Sequence, residues 1–293
     1  MVKDECDVIE DFVRRNARFA QKLYVIDNGS EDGTLAILAN LMQEGLPLAV
    51  YQYNATHFQQ KLAINSLLGQ VMAEADYSWV VPLDADEFIT HSAGDLLALL
   101  DQAPPGQVCY LPWRNYFPIA EGAGLARRFV HVANEGAEVY KVIVPGNLIL
   151  KGEISEGNHI FTIDGNAVPG VRLPAVIQHL PVRSAEQIVA KALIGSYRLA
   201  LKPNRHPDEG KHWDDIAEYI RKHDYRLGLQ DLQSIAYMYP AIVSTEQLPA
   251  NLETAMSFDT EDLPLKYGQL AHGGVIQRLD SYLKIVTQNF LPS

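Results

Sequence analysis

The sequence predicts an α/β fold: a Rossmann-like, mostly parallel sheet, a mixed sheet after it, and helices at the C-terminal end. Three observations carry that expectation. Short apolar strand runs alternate with helical periodicity through the first 90 residues. Dense clusters of acids and turn formers follow two of those strands, and after Glu87 the pattern loosens into strands separated by Gly and Pro turns.

Val8, Ile9, Phe12, Val13 and Phe19 recur at helical spacing, so a helix is expected over residues 7–21. Leu23 to Ile26 reads as a buried strand. Asp27-Asn-Gly-Ser-Glu-Asp-Gly-Thr34 then supplies turn residues and helix caps, and a helix over 34–43 carries Leu35, Leu38, Ala39 and Met42 on one face. Leu46 to Tyr51, a helix over 58–75 and the run Trp79 to Leu83 complete the alternation. Parallel strands would bring Asp27 and Asp84, each after a strand, to the same edge of the sheet, where such folds bind ligands.

In the second half a helix over 93–100 precedes strand runs at 108–111, 139–150 and 176–180. A helix over 185–201 follows, with Ile188, Val189, Ala192 and Leu193 on one face, and further helical segments fall near 213–221, 229–237 and 275–286. The expected division is a domain over residues 1–200 and a helical extension over 201–293, in which no chemistry is recognisable. Arg127 and Arg128 read as a surface pair.

With 293 residues, 36 Asp and Glu against 24 Lys and Arg and a formal charge of −12, the chain has no basic face for nucleic acid. Anionic ligands must be held locally, by a cation or a few placed basic residues. Cys6 and Cys109 are too few for a disulfide framework or a cysteine zinc site, and read as inert packing residues of a reducing compartment. No run reaches the roughly 20 apolar residues of a membrane helix, and Met1-Val-Lys-Asp-Glu-Cys-Asp7 is too acidic for a signal peptide. A cytoplasmic protein is expected, with peripheral membrane contact left open.

Asp84, Asp86 and Glu87 stand within four positions at the tip of a buried strand. That much like charge is costly there unless a cation or ligand offsets it, and a metal-dependent site is the simplest explanation. The bland alternatives are a capped turn at residues 27–34, and a strand-end histidine satisfied by hydrogen bonds at His179.

Val2-Lys-Asp-Glu5, Val25-Ile-Asp-Asn-Gly-Ser-Glu-Asp-Gly-Thr34 and Val81-Pro-Leu-Asp-Ala-Asp-Glu-Phe88 together resemble the successive motifs of family-2-type glycosyltransferases with the GT-A fold. The DADEF form, with Gly157-Asn-His159 and His179-Leu-Pro-Val-Arg-Ser184 downstream, is similar to a bacterial branch from polysaccharide and surface-glycan loci. The likeness covers about residues 2–200. It implies a nucleotide-binding half over about 1–90 and an acceptor and metal half over about 91–200.

The resemblance further implies a nucleotide-sugar donor, UDP- or GDP-linked, and a glycan or other hydroxyl acceptor, with transfer by inversion. On it, Asp27 meets the base or ribose, Asp84 the ribose, and Asp86 holds Mg²⁺ or Mn²⁺ against the diphosphate, as a hard cation requires. A further metal ligand is His179 or, alternatively, His159. Glu5, Lys3, Lys61, Arg183 and Lys191 are candidate donor contacts. The base for the acceptor hydroxyl is open among Glu87, Glu153 and Glu156. The competing readings are a nucleotidyltransferase of related fold, a phosphohydrolase of the haloacid dehalogenase type, and a non-catalytic sugar-nucleotide-binding protein.

Overall fold

The structure is a computed structural model and describes residues 1–57, 59–90, 93–120, 129–131, 139–239, 256–257, 263–270 and 274–290. Arg127, Arg128 and most of the Thr- and Glu-rich segment after residue 240 lie outside them.

The first layer follows the predicted alternation. Helix α1 (Ile9–Asn16) precedes β1 (Leu23–Asp27), α2 (Thr34–Gln43), β2 (Leu48–Gln52) and α3 (Gln60–Glu74). Strands β1 and β2 pair in parallel from Leu23↔Leu48 to Asp27↔Gln52, and Val2 bridges Asp27 in parallel. Ile9, Phe12 and Val13 of α1 and Ile37, Leu38 and Leu41 of α2 bury their apolar stripes together with Phe88. Phe12 meets Phe88 edge-on at 6.4 Å between ring centroids. The first helix is shorter than expected: the Asn16 amide turns back to donate to Phe12 O, and residues 17–19 form a turn.

The second layer begins at β3 (Trp79–Val80), β4 (Glu87–Ile89) and α4 (Ala93–Asp101), followed by the long β5 (Val108–Asn115), β6 (Phe117–Pro118), β7 (Phe129–His131) and β8 (Tyr140–Pro145). The expected strand over 79–83 pairs for two residues only, because Pro82 offers no N–H to a ladder. Residue 146 ends the run expected to reach Leu150. A Cβ at Gly146 would lie 1.6 Å from Tyr77 O, and the chain turns there into α5 (Gly146–Ile149).

Short strands β9 (Glu153–Ile154), β10 (Phe161–Ile163) and β11 (Asn166–Ala167) form a separate antiparallel meander, and β12 (Gly170–Arg172) lies parallel to β5. Strand β13 (Ile177–His179) is parallel to β5 and antiparallel to β4, giving the order β3-β8-β5-β13-β4. Strands β1 and β2 thus form a parallel pair of their own, and the six-stranded sheet is mixed, with β3 antiparallel to β8.

Helix α6 (Ala185–Ala200) starts at Ser184, whose hydroxyl accepts from Gln187 N at 3.1 Å, while the Gln187 side chain accepts from Arg183 N. Helices α7 (Lys211–Lys222) and α8 (Leu229–Met238) share one apolar cluster with α6, through Ile188, Leu193, Ile216, Ile220, Leu232 and Ile235. The predicted boundary at residue 200 thus cuts across a common core. Strand β14 (Met256–Ser257) pairs with β7, and α9 (Val275–Phe290) packs near α6. Among the described residues no helix is long and apolar enough to cross a membrane.

Candidate active site

A cavity of about 440 Å³ opens where the end of β1, the turn after Leu83, the ends of β5 and β13 and the helices α6 and α7 meet. Asn28, Asp84, Asp86 and His179 all line it, so the two acid-rich turns converge on one cavity, although the strands before them lie in different sheets rather than at one edge of a parallel sheet.

Asp27 is fully buried behind Asn28. Its Oδ2 accepts from Gly29 N and Ser30 N, both at 3.1 Å, and Gly29 takes φ +74°, which a side chain would disfavour. Asp27 Oδ1 has no hydrogen-bond partner, an orphan acceptor in an otherwise satisfied turn. Asp32 caps the next helix, accepting from Thr34 N at 2.9 Å. The capped-turn reading of this loop accounts for one oxygen of Asp27 and leaves the other without a partner.

The three acids of the second turn separate. Asp84 Oδ1 accepts from Gln60 Nε2 at 3.0 Å, and its Oδ2 from Lys141 Nζ at 2.7 Å. Glu87 has no exposed surface; its Oε2 accepts from Asp84 N at 3.0 Å and its Oε1 lies 2.9 Å from Lys141 Nζ. Burial, with Asp84 and Asp86 nearby, pushes the Glu87 carboxyl up to about 8. Burial also opposes the charge of Lys141, yet Asp84 and Glu87 hold its ammonium above the usual lysine range.

Asp86 faces a different set. Lys191 Nζ donates to Oδ2 at 2.8 Å, Arg183 lies 3.6 Å away, and His179 Nε2 stands 3.8 Å from Oδ1. Burial opposes its ionisation, but Lys191, His179 and Arg183 hold it well below the usual carboxylate range. The imidazole of His179 is pushed down to about 3, chiefly by burial, and is therefore neutral at pH 7. Its Nδ1 lies 2.8 Å from Asn115 Oδ1, while the Asn115 amide nitrogen donates to the Tyr239 carbonyl. The carbonyl can only accept, which fixes the amide; Nδ1 is then the protonated atom, and the Nε2 lone pair points toward Asp86.

That pair tests the fit of a divalent ion. An imidazole lone pair and a carboxylate oxygen facing each other, too far apart to bond directly, match a hard or borderline cation completed by substrate oxygens. Among the described residues no three ligating side chains converge, and Asp86 and His179 form a facing pair of possible donors. His159 also lines the cavity; its Nδ1 lies 2.7 Å from the Tyr140 carbonyl, and burial lowers its pKa.

Other expected residues are placed differently. Arg183 does not reach the cavity: its side chain is 2% exposed and pairs with Glu5 and, at 2.7 Å, Asp7. Lys61 and Glu153 pair with each other at 2.7 Å on the surface, 46% and 61% exposed. Glu87 is locked against Lys141 away from solvent, so of the three candidate bases only Glu156 lines the cavity. Glu5 lies at the cavity, held by Arg183 and by Lys191 at 2.9 Å, and Lys3 donates to Gly29 O at 2.5 Å.

Sequence reasoning missed Lys141, Asn115, Trp113 and the C-terminal wall of His212, Trp213 and Tyr239. Lys141 carried a signal, as one cation inside the apolar run Tyr140 to Pro145 demands a buried counter-charge.

Two acid-bearing turns of an α/β fold thus meet on one cavity, where β13 sets a neutral imidazole opposite the carboxylate of the second. Residues 2–128 match the glycosyl transferase family 2 model. The chain matches no curated protein. Among solved structures it is similar to S. aureus TarS, at 19% identity over 76% of this chain and 42% of that one, with a TM-score of 0.42. It is also similar to TarS 1–349 alone (18% identity, 74% and 68% covered, TM-score 0.40) and in complex with UDP (18%, 74% and 68%, TM-score 0.35). The chain thus spans about two-fifths of the length of the longer TarS chain.

Proposed function

We propose that the chain is a metal-dependent glycosyltransferase moving a sugar from a UDP- or GDP-linked donor to a hydroxyl of a glycan or other acceptor, with inversion, in surface polysaccharide synthesis. The observation that carries this reading is the pair Asp86 Oδ1 and His179 Nε2, 3.8 Å apart on one cavity, with Asp86 inside the family-matched segment. A divalent Mg²⁺ or Mn²⁺ held there supplies positive charge opposite the departing diphosphate.

The chain's own residues do the rest. Asp27, with its orphan buried oxygen, accepts from the N–H edge of the base, and Asp84, oriented by Gln60 and Lys141, meets the ribose. Lys191 neutralises Asp86 before donor enters and adds charge beside the diphosphate. Glu156 takes the proton of the acceptor hydroxyl; burial raises its carboxyl above the usual range, which favours it as a proton acceptor. Residues 201–293 act as a helical extension that supplies one wall of the site.

Asp86→Ala is expected to abolish sugar transfer and Mn²⁺-dependent nucleotide binding while unfolding as cooperatively as wild type. Equal turnover by that variant, or full activity in EDTA, sinks the mechanism. A second reading is favoured by the 2.8 Å contact of Lys191 with Asp86: the ammonium alone supplies the positive charge, and no ion is needed. Under it, activity survives EDTA and is lost in Lys191→Met.

A further inference from the structure

From the Asp86–His179 pair a continuous aromatic wall runs outward along the cavity. Trp113 stacks on His179 with ring centroids 3.9 Å apart and planes at 28°. Tyr239 lies 5.3 Å from both His179 and His212, and Trp213 follows at 4.7 Å from His212 and 6.1 Å from Tyr239. All five line the same cavity as the acids. Three of them come from the region beyond residue 200, which no sequence motif and no family match reaches.

The wall is held in place. The Trp213 ring packs on the backbone of Gly195 in α6, where an added Cβ would lie 3.2 Å from it. The turn into α7 uses Gly210 at φ +62°, where a Cβ would meet Leu199 at 2.4 Å. The Tyr239 carbonyl is anchored by Asn115, and its hydroxyl lies 3.3 Å from His212 Nε2. The wall thus offers ring surfaces with a few polar atoms between them, and Glu156 beside it as an acceptor of hydrogen bonds.

We propose that Trp213, Tyr239 and His212 form a subsite for a pyranose ring of the acceptor, stacked on the aromatic wall and presenting a hydroxyl to the donor site. This rests on the glycosyltransferase reading above and names its acceptor class. A pyranose carries an apolar face of C–H groups and a rim of hydroxyls. Flat aromatic surfaces bury the first, and spaced polar atoms meet the second, the pattern of a pocket that orients a small ligand. His212 stays uncharged at neutral pH, since burial lowers its pKa to about 4, so it serves a neutral sugar without attracting anions. The nucleobase is assigned to Asn28, with the buried Asp27 behind it, which leaves the aromatic wall to the acceptor.

The test uses the whole chain on a printed array of mono- and oligosaccharides, with glycerol and a serine peptide as non-sugar hydroxyls, in the presence of Mn²⁺ and UDP or GDP. The wild type is expected to retain at least one pyranoside class and neither control. Trp213→Ala should weaken that binding about 10-fold and Trp213→Phe much less, as for loss of one stacked ring, while nucleotide affinity measured by calorimetry stays within about twofold. In the wild type, saturation with the same pyranoside should change tryptophan emission without any substitution. Nucleotide binding with no pyranoside retained, unchanged retention by Trp213→Ala, a silent tryptophan signal, or a matching fall in nucleotide affinity each overturns the subsite. Failure of the wild type to bind either nucleotide overturns the glycosyltransferase reading itself.

Discussion

His179 and Asn115 face each other in register across the parallel pair β13 and β5, and the 2.8 Å contact between Nδ1 and Oδ1 decides which imidazole nitrogen is free. The same strand has its antiparallel register with Glu87 on the other side. Sheet pairing, rather than a loop, therefore aims the His179 lone pair at Asp86.

Asn115→Ala is expected to weaken Mn²⁺-dependent UDP binding roughly 10- to 100-fold, the usual cost of losing the partner that orients a metal-ligating histidine. Calorimetry with and without Mn²⁺ reads this directly. The metal-independent part of UDP binding should be unaffected, and an unchanged Mn²⁺ response would show that Asn115 does not set the ligand.

Lys141→Met leaves Asp84 and Glu87 buried with no cation between them. A loss of about 3–5 kcal/mol is expected by urea denaturation at pH 7, as when one partner of a buried pair is removed. Adding Asp84→Asn should recover part of that loss, because the stranded charge is that of Asp84; Glu87, raised to about 8, is already largely protonated at pH 7. A double variant no more stable than Lys141→Met would contradict the pairing.

The imidazole of His212 is lowered to about 4 chiefly by burial; Asp214 pulls it upward, while Arg205 and Lys191 push it down. In the unfolded chain a histidine takes its proton near pH 6.5. Between pH 6.5 and about 4 the unfolded state binds the proton and the folded state does not, so this group costs stability progressively as pH falls through that window. The total approaches roughly 3 kcal/mol. His212→Gln should flatten that part of the stability profile while leaving it unchanged above pH 7.

Gly146→Ala drives a methyl group to 1.6 Å from the Tyr77 carbonyl, backbone that cannot swing aside. The same glycine donates to Ser78 O at 2.8 Å, beside the β3–β8 pairing. A loss of at least about 2 kcal/mol is expected from overpacking, seen as a lower thermal midpoint. Gly106, at φ +74° with open space around it, should cost less on the same substitution.

Much of the first layer was legible because its signals are local. The Asp27 to Thr34 turn announces itself by Asn-Gly and Asp-Gly, and α2 starts and stops at the residues its periodicity predicts. The roles inside Asp84-Ala-Asp-Glu87 were legible only as a need for positive charge. Which cation answers each acid depends on residues 57 and 105 positions away, Lys141 and Lys191, and nothing in local spacing joins them. Arg183 misled for a related reason. Its distance from His179 suggested a ligand contact, but β13 ends between them, and the guanidinium turns inward to Glu5 and Asp7. Trp213 and Tyr239 sit in different C-terminal segments, and only their packing on α6 and against Asn115 brings them to the cavity.

The bridges from Arg183 and Lys191 to Glu5 join residues 178 and 186 positions apart. Contacts of such separation are entropically expensive to close and belong to the slow end of folding. During synthesis on the ribosome, the two acid-bearing turns exist long before the basic residues that answer them. A nascent chain stopped short of α6 would therefore carry the family's motifs while leaving Glu5 and Asp86 without those cations. Acquisition of nucleotide affinity should coincide with the last cooperative step of folding, which makes a bound fluorescent nucleotide a clock for completion of the whole domain.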